Sequence, residues 1–330
     1  GVTKIGNVHG YYVYEGEKVA DDGKLEYRGY DMARLIDGYS AENRYGFEEV
    51  VYLLLFGKLP TKQELSDFND LLAHCRELPP RFSEDILMKA PSRSIMNKMA
   101  VGMLSLYSYD ETPDDTGLEN LLRQSVEVIA KLPVIAAQSY SIYRSRFHGA
   151  SLTLHTPVDD LSTAQNFLRV LRPDMKFTEE EARLLDLCMM IHAEHGGGNN
   201  STFSCRVLSS SGTDTYSAMA AAIGSLKGPL HGGANAKVME MFRDIQEHVK
   251  DHKDEEELTW YLAKILRGQA NDGSGKIYGT SLTRTPELPS LSEDALQQVL
   301  EKLNVRPEQC LMVGNDVEED MMARELGMDV

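Results

Sequence analysis

The chain has few cysteines, a deficit of positive charge and no long apolar run. Its four cysteines, Cys75, Cys188, Cys205 and Cys310, form no C-x-x-C pair. That argues against a disulfide scaffold and fits buried thiols in a reducing cytoplasm. No stretch approaches the ~18 consecutive apolar residues that a membrane-crossing helix needs. Lysine and arginine number 34 against 51 aspartates and glutamates, a net charge of −17. Phosphate backbones demand a basic face, so a nucleic-acid partner is not expected. A small anionic substrate is still compatible, because a few arginines in a cleft override the global field. No charged-then-apolar leader opens the sequence. Gly1 stands where a translated chain has Met, which points to a start that is missing or processed.

What is present is an ordinary globular composition, 42% hydrophobic and 26% charged over 330 residues. That length buries a substantial core and accommodates two or three domains. The pattern is mostly helical. Gly1–Leu25 is rich in glycine and tyrosine, with extended segments such as Tyr11–Tyr14. Helices are expected at Ala33–Ile36 and at Phe47–Phe56, the latter closed by Gly57. Thr61-Lys62-Gln63-Glu64 is a capping box opening a helix that stops before Pro79-Pro80. Further helices fit Ile95–Tyr107 and Leu118–Tyr143, where Pro133 should kink or divide the second. Thr178–Glu181 is a second capping box, starting a buried helix over Glu179–Glu194. Tyr216–Leu226, Ala234–Val249 and Glu256–Arg267 complete the helical reading. Asn271–Gly275 is a loop, and the alanine-rich face of Tyr216–Leu226 permits close helix approach.

Two histidine-bearing segments stand out. His192–Ser201 (HAEHGGGNNS) places His195 at the end of an apolar helix, before three glycines, two asparagines and a serine. Such glycines expose backbone amides to a small dicarboxylate or keto acid; a plain helix C-cap and loop is the alternative. His192 and His195, three apart, share a helical face. A metal site is disfavoured because no third ligand has suitable spacing, and His192 is expected in the core. Gly228–Asn235 (GPLHGGAN) places His231 just before a helix. The positive end of the helix dipole favours neutral imidazole there. Neutral imidazole can donate to a carbonyl that becomes an enolate oxygen. A polar capping residue is the simpler reading.

Taken together with Tyr27-Arg28-Gly29-Tyr30, these two segments resemble the citrate and 2-methylcitrate synthases in order and spacing. The resemblance covers about residues 1 to 279. It implies a mainly α fold, with a large helical domain over 1–235 and the start of a small domain over 236–279. It implies condensation of acetyl- or propionyl-CoA with oxaloacetate in a homodimer, with acyl-CoA as substrate and no permanently bound cofactor or metal. His231 would hold the thioester carbonyl, and His195 would bind oxaloacetate. Asn199 and Ser201 match positions near the keto acid. Arg28 resembles an arginine near the coenzyme A phosphates, and Ile277, Tyr278 and Gly279 lie in the start of the coenzyme A loop.

After Gly279 the sequence leaves this pattern. The family continues with a glycine–histidine motif, an oxaloacetate arginine and an aspartate base. This chain reads Thr280-Ser281-Leu282-Thr283, and no histidine follows His252. The expectation is a truncated small domain and impaired condensation. Asp272 is the one nearby acid that could stand in as base. A catalytically inactive binding or scaffold protein is the main alternative. Residues 290–330 resemble the final motif of haloacid-dehalogenase-type phosphohydrolases, a short βα tail in which Asp316 and Asp320 would face Mg²⁺. That family's nucleophilic aspartate has no counterpart, so a phosphohydrolase fragment is the weaker alternative.

Overall fold

A computed structural model describes residues 4–14, 17–194, 196–229, 231–252 and 254–278. The expected βα tail and Gly279 fall outside the described residues. The described chain is mainly helical, as its hydrophobic periodicity implies. It divides into two compact units. The first lies within Gly1–Val8 and Lys24–Lys227, the second within His9–Gly23 and Gly228–Val330. Three strands, β1 (Gly6–Tyr14), β2 (Glu17–Tyr27) and β3 (Tyr30–Asp31), form a sheet in that order. β2 pairs antiparallel with β3, Tyr27 opposite Tyr30 and Glu26 opposite Asp31.

The helices of the first unit are α1 (Met32–Ala41), α2 (Phe47–Phe56), α3 (Lys62–Cys75), α4 (Ile95–Ser105), α5 (Leu118–His148), α6 (Thr163–Leu171), α7 (Glu179–Ile191), α8 (Asn200–Ser209) and α9 (Thr215–Leu226). A π-turn at Ser83–Leu87 and a 3₁₀ turn at Leu106–Tyr109 join them. Both expected capping boxes form. Thr61 Oγ1 accepts from Glu64 N while the Glu64 carboxylate accepts from Thr61 N, and Thr178 does the same with Glu181. Each satisfies two helix-start amides reciprocally. Gly57 ends α2 at φ 76°, a left-handed cap that costs glycine no Cβ clash.

Pro133 neither divides α5 nor ends it: one 31-residue helix runs through. Proline removes one intrahelical bond. Burial of Val128, Ala130, Val134, Ile135 and Ala137 on either side holds the helix together nonetheless. α5 is the spine of the unit. With α4 and α9 it encloses a core of Phe82, Leu87, Met103, Val128, Ile135, Tyr216 and Ile223. A second core, of Leu25, Tyr27, Met32, Tyr39, Val50, Leu53 and Met190, joins β2, α1, α2 and α7. This second core carries the histidine-bearing segment after α7.

The second unit contains α10 (Ala234–His248) and α11 (Glu255–Leu266). They pack around Met241, Ile245, Val249, Tyr261, Ile265 and Tyr278. No helix among the described residues is long and apolar enough to cross a membrane.

Candidate functional site

α7 delivers the HAEHGGGN segment, and two buried polar side chains fix where it points. Asp186, in mid-helix, accepts from the amides of Gly46 (2.8 Å) and Phe47 (3.2 Å) at the start of α2. Burial pushes its carboxyl up to about 6, even though the Gly46 and Phe47 amides favour the ionised form. Gly46 must be glycine, because a Cβ there would run into the Tyr39 ring and the Met190 sulfur. At the helix end, the Tyr27 hydroxyl lies 2.8 Å from the Ile191 carbonyl and 3.0 Å from that of Met190, and accepts from Glu194 N at 3.1 Å. Tyr27 is fully buried, and burial pushes its hydroxyl pKa up to about 12.

The helix stops at Ile191, three residues short of the expected Glu194, and His192 is its C-cap. His192 is exposed rather than in the core, with its Nδ1 2.7 Å from the Cys188 carbonyl. The reason is the chain's exit: bonding to the last turn turns the ring along the helix surface instead of into the core. The helical spacing assumed for His192 and His195 therefore ends at the cap. His195 itself falls outside the described residues. Beyond it, Glu194 Oε1 accepts from Gly196 N at 2.6 Å.

The asparagine and serine of the segment start a helix not expected from sequence. Asn199 is the N-cap of α8, its side-chain oxygen accepting from Ser201 N (2.8 Å) and Thr202 N (3.1 Å). Asparagine is among the strongest N-caps. The sequence signal was Asn199 itself, masked by the glycines before it, which read as loop. Ser201 sits in the first turn of α8, with its own amide held by the Asn199 cap.

Arg28 and Gly29 form the two-residue turn between β2 and β3, with φ of 51° and 85°. Positive φ at both positions suits the twist of a hairpin. The guanidinium donates through Nε (3.2 Å) and Nη2 (2.7 Å) to the Leu54 carbonyl in the last turn of α2. A cation at a helix C-terminus is favoured by the dipole.

His231 belongs to the second unit. It is half-buried in a turn before α10, and its amide donates to the Gly228 carbonyl at 3.0 Å. Gly233 closes that turn, since a Cβ there would overlap the Pro229 carbonyl. Part of the glycine content of this segment is thus required by the turn. Farther on, Ile277 is half-buried and Tyr278 is 7% exposed, its hydroxyl donating to Asp272 Oδ2 at 2.6 Å. Asp272 also receives Lys237 Nζ at 3.1 Å and Ser274 N at 3.1 Å. Burial acts to raise its pKa, but the bonds from Ser274, Tyr278 and Lys237 outweigh it and hold the carboxyl well below the usual range. Such a carboxylate is a weak base.

Tyr27 and Glu194 lie within the motifs read from the sequence, but the sequence reading gave neither of them a role of its own. The available signal was weak: β2 is mostly charged, and only the rule that a buried tyrosine hydroxyl needs a partner pointed to Tyr27. Sequence and structure comparisons bear on the same regions. A family model described as "Citrate synthase, C-terminal domain" matches residues 2–282. A citrate synthase of Haloferax volcanii is 35% identical over 278 residues, which is 83% of this chain and 68% of that protein. A 2-methylcitrate synthase of Shewanella oneidensis is 32% identical, covering 82% of this chain and 66% of its own length. The crystal structure of citrate synthase from Pyrobaculum aerophilum is 29% identical with a TM-score of 0.61, covering 81% of this chain and 60% of that one. The chain spans about two thirds or less of the relatives it matches, 68% of the Haloferax protein and 43% of a glyoxysomal citrate synthase of Cucurbita maxima. With the family model spanning most of the sequence and a relative 35% identical across 83% of it, the chain belongs to the citrate synthase family.

Proposed function

We propose that this chain derives from an enzyme that condenses acyl-CoA, acetyl or propionyl, with oxaloacetate, and that as written it does so slowly. The observation that carries the reading is the pair HAEHGGGN and GPLHGGAN, in that order, inside the family match over residues 2–282. His231 would donate to the thioester carbonyl as the α-proton leaves, stabilising the enol oxygen. His195, Asn199 and Ser201 would hold oxaloacetate. Arg28, Ile277, Tyr278 and Gly279 would face coenzyme A. For Arg28 this requires the guanidinium to serve Leu54 and a phosphate together, or to exchange one for the other. The 1–235 segment would act as the large domain and 236–279 as the start of the small one, in a cytoplasmic homodimer.

Slowness follows from the chemistry. A thioester α-proton is weakly acidic and needs a base on one side and donors at the carbonyl on the other. The sequence after Gly279 supplies no histidine, and Asp272 is tied to three donors. Catalytic groups that act as a unit fail together. The same two facts support a second reading, a binding protein that keeps the keto-acid segment without turnover. The dehalogenase-like tail, with Asp316 and Asp320, lies outside the family match and carries no argument for phosphatase activity.

The test is thiol release from acetyl-CoA and propionyl-CoA with oxaloacetate, with titration calorimetry of oxaloacetate alone. Expected are weak oxaloacetate binding, reduced in His195→Ala, and turnover far below the ordinary ~1–10³ s⁻¹. Turnover within that range and abolished by His231→Ala would refute the impairment. Equal heats for parent and His195→Ala would remove His195 from the site.

A further inference from the structure

We propose that Tyr27 is a positioning residue, whose hydroxyl sets the path of the backbone from Met190 to Glu194, and through Glu194 the place of Gly196, and thereby the keto-acid side of the site. The inference rests on the reading that the HAEHGGGN segment faces the keto acid. A helix end leaves its last carbonyls without intrahelical partners. At the end of α7, two of them meet a single atom: Tyr27 Oη lies 2.8 Å from Ile191 O and 3.0 Å from Met190 O. The same oxygen accepts from Glu194 N at 3.1 Å, which lies beyond the helix. A phenol has one proton to give and two lone pairs to receive with. Here the proton is shared between two carbonyls and one lone pair is used, so one atom joins both sides of the exit turn.

The constraint passes on. Glu194 folds back so that its carboxylate accepts from Gly196 N at 2.6 Å. Its Cγ lies against Gly6, where a Cβ would come within 2.6 Å. Gly6, Tyr27 and Glu194 therefore brace the segment on either side of position 195. The ring of Tyr27 contributes separately, because it is fully buried among Leu25, Met32, Leu53 and Met190. Ring and hydroxyl can be tested apart, since Tyr27→Phe removes only the second.

The experiment compares the full chain with Tyr27→Phe and with Leu25→Ala, which damages the same core without touching the hydroxyl. Two readouts are taken: amide hydrogen exchange at Glu194 and Gly196, and oxaloacetate affinity by calorimetry. Tyr27→Phe is expected to speed exchange at both amides and to weaken oxaloacetate about three- to tenfold, the size of one or two lost neutral hydrogen bonds. Leu25→Ala is expected to leave affinity within about twofold and these two amides no faster than the rest of its unit. Parent-like exchange in Tyr27→Phe overturns the proposal, as does unchanged affinity with raised exchange. Equal effects from Leu25→Ala overturn it too, since the role would then be stability alone. If the parent takes up no oxaloacetate, the keto-acid reading has failed and exchange alone decides whether Tyr27 holds the segment. Should Tyr27→Phe not fold, Glu194→Ala is the substitute. It is expected to free the Gly196 amide and weaken oxaloacetate, and parent-like values for both would overturn the proposal.

Discussion

Replacing Asp110 should loosen the first unit more than its position just outside a helix suggests. The Asp110 side chain is 3% exposed and gathers donors from three segments. Arg123 reaches both oxygens at 2.7 and 2.8 Å, Gln124 Nε2 one at 2.9 Å, Tyr216 Oη the same one at 2.7 Å, and Thr112 N the other at 2.9 Å. Arg123 is 41% exposed, so it regains water when its partner is lost, and that ion pair counts for little. Gln124 keeps a carbonyl partner, Pro113 O at 3.2 Å. Tyr216 is 2% exposed, and its hydroxyl would be stranded. A stranded buried donor costs about 1–3 kcal/mol, and a lost bond to a charged acceptor about 1.5–3 kcal/mol. Asp110→Ala should therefore cost roughly 2–4 kcal/mol, and Asp110→Asn, which keeps one acceptor, about half of that. Urea unfolding followed by circular dichroism measures both. Tyr216→Phe in the Asp110→Ala background should cost at least ~1 kcal/mol less than in the parent, because the pair shares one interaction. Burial acts to raise the Asp110 pKa, yet the bonds from Arg123, Thr112, Tyr216 and Gln124 hold it well below the usual range. A depressed carboxyl stabilises the fold above its unfolded pKa of about 4, and that stability is lost as pH falls further. The acid limb of both variants should be shallower than the parent's. A loss under ~1 kcal/mol in Asp110→Ala, or strict additivity with Tyr216→Phe, would refute the reasoning.

Asp186 predicts the opposite pH dependence. Its folded pKa is raised to about 6, so its contribution to stability should fall as pH climbs from about 4 to 6 and be flat above; identical urea midpoints across that range for parent and Asp186→Asn would contradict this. Gly46→Ala should lower stability by about 1–3 kcal/mol through overpacking against Tyr39 and Met190, and an unchanged melting temperature would argue otherwise. Asp272→Asn should leave proton wash-out from acetyl-CoA no slower than in the parent, whereas a tenfold loss would reinstate Asp272 as a base. Self-association through α9 and its neighbours should show as a dimer in sedimentation. Phe203 and Val207 on α8, 60% and 49% exposed, are the residues whose change to glutamate should yield monomer. A parent that is monomeric at micromolar concentration removes the proposal.

The helices were legible where local chemistry decides them. Thr61 and Thr178 announce their capping boxes because both partners lie within one turn. Ser162 and Gln165 make a third box at α6 by the same rule, and it was overlooked because the segment before it reads as loop. Pro133 does not divide α5, because burial on both sides, which only the tertiary structure supplies, overrides proline's local penalty. His192 misled for the converse reason: an apolar run suggested a buried ring, but the helix ends one residue earlier and its carbonyls capture the imidazole. In the candidate site, the segment motifs were legible and their supports were not. Tyr27 meets Glu194 across 167 residues, and Asp186 meets Gly46 across 140. No spacing rule connects residues so far apart.

The carboxylates that cap helix starts also impose an order in time. Asp186 closes the start of α2, and Glu48, in the first turn of α2, accepts from Thr163 N at 2.7 Å and so closes the start of α6. Arg76, after α3, joins the same knot through Leu161 O at 2.8 Å and Glu48 at 3.7 Å. During synthesis, α2 emerges well over a hundred residues before the acid that completes it. Until Asp186 leaves the ribosome, the amides of Gly46 and Phe47 have only water to bond, and Val50 and Leu53 lack Met190, although Val51 and Tyr52 can already pack against α3 and α5. The start of α2 is therefore completed only by a residue 140 positions later, and a pause in translation just before codon 186 would leave that helix end open to a protease or chaperone.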